Sequence, residues 1–234
     1  MKPIIFSTPE VQAILEGRKT QFRRAIKVVA PHLWKAVNNC RENSEYGASV
    51  PCYLHRVKAT EERGVYYPRY DVGDVLYVRE TFCEVPYEHN CIPIKDGYIT
   101  MPKYAYKADS KVDYTGIWCS PVAMPKEVAR LFLQVKSVRI ERLQEITAHE
   151  CVLEGINTSD ILEKCPDGNF AGHAKQSYAR LWDSHNAKRG YGWDTNPWVW
   201  VVEFEREQAE VAPLSSTSSI YSVRECKYFQ PEEG

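Results

Sequence analysis

The chain has 234 residues, a formal net charge of −1, and 44% hydrophobic and 12% aromatic residues. That size and composition fit one elaborated globular domain and exclude a wholly disordered chain or a uniformly basic protein, so affinity for nucleic acid has to come from a local patch. No stretch reaches the roughly 18 uninterrupted apolar residues of a membrane span, and Met1 to Phe6 is too short to read as a signal peptide, so a cytoplasmic protein with no membrane partner is expected.

Lys2 to Phe6 reads as a short strand. Thr8 is placed to cap a helix with Pro9 at its first position, and Val11, Ile14 and Leu15 fall at i, i+3 and i+4 to give one apolar face. Gly17 is expected to end that helix in a left-handed conformation. Directly on it follows Gly17-Arg18-Lys19-Thr20-Gln21-Phe22-Arg23-Arg24, in which four of eight residues are cationic. These cations emerge beside the negative end of a helix dipole, at a helix-to-strand junction where ligand-binding groups concentrate.

From about 30 to 70, prolines, glycines and asparagines interrupt every period, which reads as an insertion with little regular structure. A Gly73-Asp74 turn then opens a strand, Val75 to Val78, ending at Arg79-Glu80. A second irregular insertion is expected over about 84–124, with Tyr104 to Asp109 as a short strand inside it. Arg130 to Leu143 alternates as a long strand, with Val138 and Ile140 continuing the apolar series past a bend near Ser137.

Thr147-Ala148-His149-Glu150 has capping-box spacing, and Gly155 ends the short helix it opens. Glu154 then sits at the negative end of that helix, a mildly unfavourable place for a carboxylate and hence a candidate for function. Ala171 to Lys188 reads as a longer helix whose face of Ala174, Tyr178, Leu181, Trp182 and His185 is core, with His185 at least half buried. Trp198 to Glu205 reads as a strand with Trp198, Trp200, Val202 and Phe204 on one side. Residues 208–234 read as a poorly ordered tail beyond a domain of residues 1–207. The eight cysteines include no C-x-x-C pair, so neither a structural zinc site nor any other metal or cofactor is expected, and the thiols are expected reduced.

Several of these segments, in this order, resemble the ASCH family of the PUA-like group, and specifically its longer phage and prophage members. They are Ile14 to Gln21 with Arg23-Arg24, Gly73 to Thr81, Tyr106 to Asp109, Met124-Pro125, Ile146-Thr147, Glu154-Gly155-Ile156, Leu181-Trp182 and Asn196 to Trp200. The resemblance implies an α+β fold: a small mixed β-barrel with flanking helices, here carrying the two insertions. It also implies a cleft between the barrel and the first helix, where the lysine-threonine segment faces a glutamate. Family members that hydrolyse the amide of an acetylated cytidine use a lysine, a threonine and a glutamate. Those positions match Lys19, Phe22 and Glu154 here, so the nucleophilic threonine is missing. Thr20 lies on the same side of an extended strand but roughly 6–7 Å away.

Three functions follow as expectations. The favoured one is binding of RNA or a modified pyrimidine nucleoside through Arg18, Lys19, Gln21, Phe22, Arg23, Arg24, Arg79 and Glu80. In it the arginines and Lys19 meet phosphate, and Phe22 offers a ring for stacking. The second is a hydrolase, either an amidohydrolase on N4-acylated cytidine or a ribonuclease, with Lys19, Glu154 and Thr20 catalytic. The third is a phage assembly or host-interaction protein in which the insertions form the working surface and the cleft is idle.

Overall fold

The computed structural model describes residues 1–27, 34–38, 52–56, 65–85, 91–94, 97–100, 103–109, 117–163, 165 and 168–207. The proposed tail, 208–234, lies outside them, as do most of the first insertion and part of the second.

The centre is a five-stranded sheet of β1 (Lys2–Ile5), β2 (Gln21–Ala25), β6 (Val75–Arg79), β11 (Phe132–Arg142) and β12 (Trp198–Arg206), in the order β1-β6-β11-β12-β2. β1 and β6 run parallel and the other pairs antiparallel. The fold is mixed α+β, but the sheet is open rather than a closed barrel. β1 and β2 are its two edges, and no ladder joins them among the described residues. Where a ladder would close it there are side chains instead: Arg24 Nη2 donates to the Ile5 carbonyl at 3.3 Å, and the Phe6 and Phe22 rings meet edge-on at 5.7 Å.

The stretches expected to be irregular contain short ladders. β3 (Trp34–Asn38), β4 (Cys52–Arg56) and β5 (Val65–Tyr66) form an antiparallel sheet, and β8 (Cys91–Ile94) pairs with β9 (Gly97–Thr100). β7 (Phe82–Glu84) pairs with β10 (Tyr104–Tyr106). β3 pairs with β4 and β7 with β10 across long stretches of sequence, which no local period reveals, whereas β8 and β9 form a local hairpin.

Four helices complete the described fold: α1 (Thr8–Leu15), α2 (Ala148–Leu153), α3 (Thr158–Glu163) and α4 (Phe170–Asn186). Ser7, not Thr8, caps α1, and the Glu10 carboxylate accepts from both the Ser7 N–H and its hydroxyl, at 2.9 and 2.8 Å. The Ser7-to-Glu10 spacing is a capping box one residue upstream of the expected cap. α2 starts as expected, with Thr147 capping and Glu150 reaching back.

Two apolar clusters sandwich the sheet. One joins α1 to the face bearing Phe6, Phe22, Leu76, Leu133 and Phe204. The other joins α2, α3 and α4 to Val199 and Val201 on the opposite face. β12 alternates cleanly between them. β11 does so only through a register shift between Val135 and Ser137. Leu133, Val135, Val138 and Ile140 all join the first cluster although their numbers change parity. One extra residue inverts the facing of everything after it. The bulge thereby turns Arg139 and Glu141 toward the helical side.

Gly155 ends α2 at φ +99°, and a Cβ there would lie 3.0 Å from Ala13 Cβ and 3.3 Å from Lys19 Cβ. Gly73 has φ +89° but open space around it. Gly73→Ala is therefore expected to cost about 1–2 kcal/mol, the left-handed penalty alone, and Gly155→Ala clearly more, with α1 and Lys19 pushed aside. Paired urea melts check this, and equal losses would contradict it.

Candidate functional site

The segment after α1 and the end of α2 meet through a single backbone bridge between Lys19 and Glu154. Thr20 N–H donates to the Leu153 carbonyl at 2.9 Å, and Gly17 and Gly155, both with positive φ, turn the chain on either side. In this arrangement Lys19, Gln21 and Arg23 alternate onto the helical face of the sheet, and Phe22 faces the first cluster.

Lys19 and Glu154 are both buried, at 3% and 4% exposure. Lys19 Nζ donates to the Glu154 carbonyl at 2.8 Å and to its Oε2 at 3.2 Å, and lies 3.7 Å from Glu10 Oε1. The amine thus satisfies a helix-terminal carbonyl, the usual role of a cation at this end of a helix. Glu154 Oε1 accepts from Arg23 Nη1 at 2.9 Å, and Arg23 Nη2 reaches Glu150 Oε1 at 3.1 Å and Glu141 Oε2 at 3.2 Å. Arg139 closes the network from β11, with ion pairs to Glu141, Glu150 and Glu203. Carboxylates outnumber cations here.

A cleft of about 450 Å³ opens over the pair. Lys19, Arg23 and Glu154 form its floor, Phe6 and Glu10 one wall, and Tyr178 and Trp182 of α4 the other. Arg24 and Arg189, both exposed, stand at its rim.

The structure brings together fewer of the expected residues than the sequence proposed. Arg23 is 2% exposed and committed to three carboxylates, so it is a scaffold for Glu154 rather than a phosphate contact. Phe22, 1% exposed, packs between Phe6, Tyr70 and Phe204, which removes it as a stacking platform within the cleft. Gln21 is fully buried and donates to the Glu150 carbonyl at 3.4 Å. Thr20 does not line the cleft. Arg18 is turned away, bonded to the Gly155 carbonyl at 2.7 Å and paired with Glu16.

Arg79 and Glu80 also lie elsewhere. Arg79 donates to the Met124 carbonyl at 2.9 Å. Glu80 is held by Arg130, which also grips Asp109 and stacks on Tyr106 at 4.0 Å. His185, expected to be at least half buried, is exposed, with Nδ1 3.1 Å from the Leu181 carbonyl. Glu10 and Tyr178, with Phe6, Trp182 and Arg189, are site residues to which the sequence reading gave no role there. Glu10 was findable from its capping-box spacing to Ser7, whereas Tyr178 looks like any core aromatic.

Burial pushes the Glu10 carboxyl up, but Lys19, the Ser7 hydrogen bonds and Arg24 outweigh it and hold it below the ordinary 4.5. Glu150 is likewise lowered: burial raises it, and Thr147, Arg23 and Arg139 prevail. A carboxyl lowered on folding contributes stability above its unfolded value and loses it as pH falls through the folded one. Acid unfolding is therefore expected to set in below about pH 4.5, and Glu10→Gln to flatten that limb of a stability-against-pH curve. Burial raises Glu80 above its ordinary value despite Arg130, so its contribution has the opposite sign and Glu80→Gln is expected to steepen the limb.

Among the described residues no group of three His, Cys, Asp or Glu side chains is placed to hold a metal ion, and no helix is long and apolar enough to cross a membrane. The chain matches no protein-family model, no curated protein and no solved structure.

Proposed function

We propose that the cleft binds a modified pyrimidine, either as a nucleoside or as an unpaired nucleotide of RNA, with cytosine the base it reads. The observation that carries this reading is the juxtaposition of a donor and an acceptor, Lys19 Nζ and Glu154 Oε2, 3.2 Å apart on the floor of a cleft. Cytosine presents the complement, an N4–H donor beside the N3 and O2 acceptors, and a carboxylate accepting from N4 is a standard way to select it. An N4-acyl group keeps one N4–H and so preserves the match. The cleft volume of about 450 Å³ is in the range of small-ligand sites, and Phe6 and Trp182 supply apolar walls. Phosphate contacts fall to Arg24 and Arg189 at the rim instead of the buried Arg23.

Hydrolysis of the acyl amide is the second reading, favoured by the same 3.2 Å contact. It needs a nucleophile other than Phe22, which is in the core, or Thr20, which does not line the cleft. The Ser7 hydroxyl, which lines the cleft and donates to Glu10 at 2.8 Å, or a water is the remaining choice, with Glu10 or Glu154 to take its proton. The host-interaction reading rests on insertions that lie partly outside the described residues.

Calorimetric titration with cytidine, N4-acetylcytidine and uridine tests the proposal. Both cytidines are expected to bind at least about tenfold tighter than uridine, the discrimination one good polar pair supplies. Chromatography of the N4-acetylcytidine mixture should return it intact; release of acetate would replace binding by hydrolysis. Equal binding of all three, or none, would overturn the reading.

A further inference from the structure

A second pocket, of about 370 Å³, lies on the other side of Arg24. Its lining includes the cations Arg24, Lys27 and Arg69 and the aromatic residues Tyr70 and Trp200, and no acidic residue is among the described residues that line it. Lys27, Arg69 and Arg24 are exposed, and none of them forms an ion pair with a carboxylate among the described residues. Arg24 lies over Phe22 at 5.1 Å and donates to the Ile5 and Arg23 carbonyls, and Arg69 lies over Tyr70 at 5.6 Å. Trp200 is half buried beside them. The contrast with the cleft is one of charge. The cleft lining mixes the carboxylates of Glu10 and Glu154 with its cations, and the described lining here sets cations beside aromatic faces.

In a protein with net charge −1, three cations converging with no acid among the described lining residues point to an anionic ligand, and flanking aromatic faces point to one with a planar ring. A nucleotide has both. Because Arg24 lines this pocket and the cleft alike, one guanidinium stands between a base in the cleft and a base in the pocket, where the linking phosphate of two consecutive nucleotides has to pass. We propose that this pocket holds the nucleotide adjacent to the one in the cleft, so that the protein binds single-stranded RNA in preference to a free nucleoside. In this arrangement Arg24 meets the phosphate between the two bases, Lys27 and Arg69 meet the next one, and the base lies against Trp200. The proposal rests on the nucleotide reading of the cleft and specifies the form in which that nucleotide arrives.

The test uses the full chain and four probes, by fluorescence anisotropy with competition: N4-acetylcytidine, cytidine 5′-monophosphate, inorganic phosphate, and a five-nucleotide single-stranded RNA with N4-acetylcytidine at its centre. The variant is Lys27→Ala with Arg69→Ala, both exposed and outside the cleft, checked by circular dichroism. The RNA is expected to bind at least tenfold tighter than either mononucleoside probe. The variant should lose about tenfold for the RNA, lower the slope of log affinity against log salt by roughly 1.4, and bind the nucleoside unchanged. RNA binding no tighter than that of the monophosphate, displacement of the RNA by inorganic phosphate alone, or RNA affinity unaffected in the variant would each overturn the proposal. RNA binding that depends on Lys27 and Arg69 without any nucleoside binding would instead remove the cleft reading and leave the pocket standing.

Discussion

Arg23→Ala is expected to be the most destabilising single substitution in the protein, at about 3–5 kcal/mol, the cost of removing one partner from a buried ionic network. Its side chain is fully buried, and Glu141, Glu150 and Glu154 all pair with it. Burial alone disfavours its charge, yet Glu154, Tyr178 and Glu150 hold its pKa above the ordinary value. Without it three carboxylates are left on the helical face of the sheet with Arg139 and Lys19 alone to offset them. Arg23→Lys is not expected to rescue, because a single ammonium cannot span three acceptors as a planar fork does. Arg24→Ala, one residue on, should cost no more than about 1 kcal/mol, since it loses only contacts with the Phe6 and Phe22 rings and two carbonyls. Chemical denaturation of the three variants checks the ranking. Similar losses for Arg23→Ala and Arg24→Ala would contradict it.

Lys19→Met and Glu154→Gln are expected to have the largest effect on binding, each weakening N4-acetylcytidine by at least about tenfold. The two differ in their effect on stability. Lys19→Met leaves Glu154 bonded to Arg23 at 2.9 Å, so the carboxylate keeps a cation and the fold survives. Glu154→Gln keeps the shape and an acceptor but removes the charge that both Lys19 and Arg23 use. It is therefore the more destabilising of the two. Their effects on binding should not add, since each removes half of one donor-acceptor pair. Calorimetry on both variants and the double variant measures the coupling, and fully additive losses would argue that the two side chains act on different parts of the ligand.

How much of this was visible in the sequence depends on the distance over which each feature is determined. The C-terminal end of α1 and both ends of α2 were legible because Gly17, Gly155, Thr147 and Glu150 act within one turn, while the cap of α1 was expected one residue late. Lys19 and Glu154 were singled out by resemblance and by the odd position of a carboxylate at a helix end. Their 3.2 Å approach, across 135 residues of sequence, was not. Arg23 and Arg24 look equivalent as letters. Strand alternation separates them, sending one to a buried acidic network and the other to the surface, but the acids arrive from β11 and α2. Glu141 faces that network only because of the bulge in β11, and the sequence hinted at no more than a bend there. The pairing of β3 with β4 escaped for the same reason, whereas the β10 strand was expected from Tyr104 onward. Barrel closure was an inference from resemblance, and the described sheet stays open, with Arg24 and two phenylalanines at the gap.

The central claim is most directly tested by a crystal structure of the protein with N4-acetylcytidine. The account predicts the base between α1 and α4, with Lys19 Nζ and a Glu154 carboxylate oxygen each within hydrogen-bond distance of its Watson–Crick edge. Clear density for the nucleoside elsewhere, with the Lys19–Glu154 pair unchanged and the cleft filled by solvent, would contradict it.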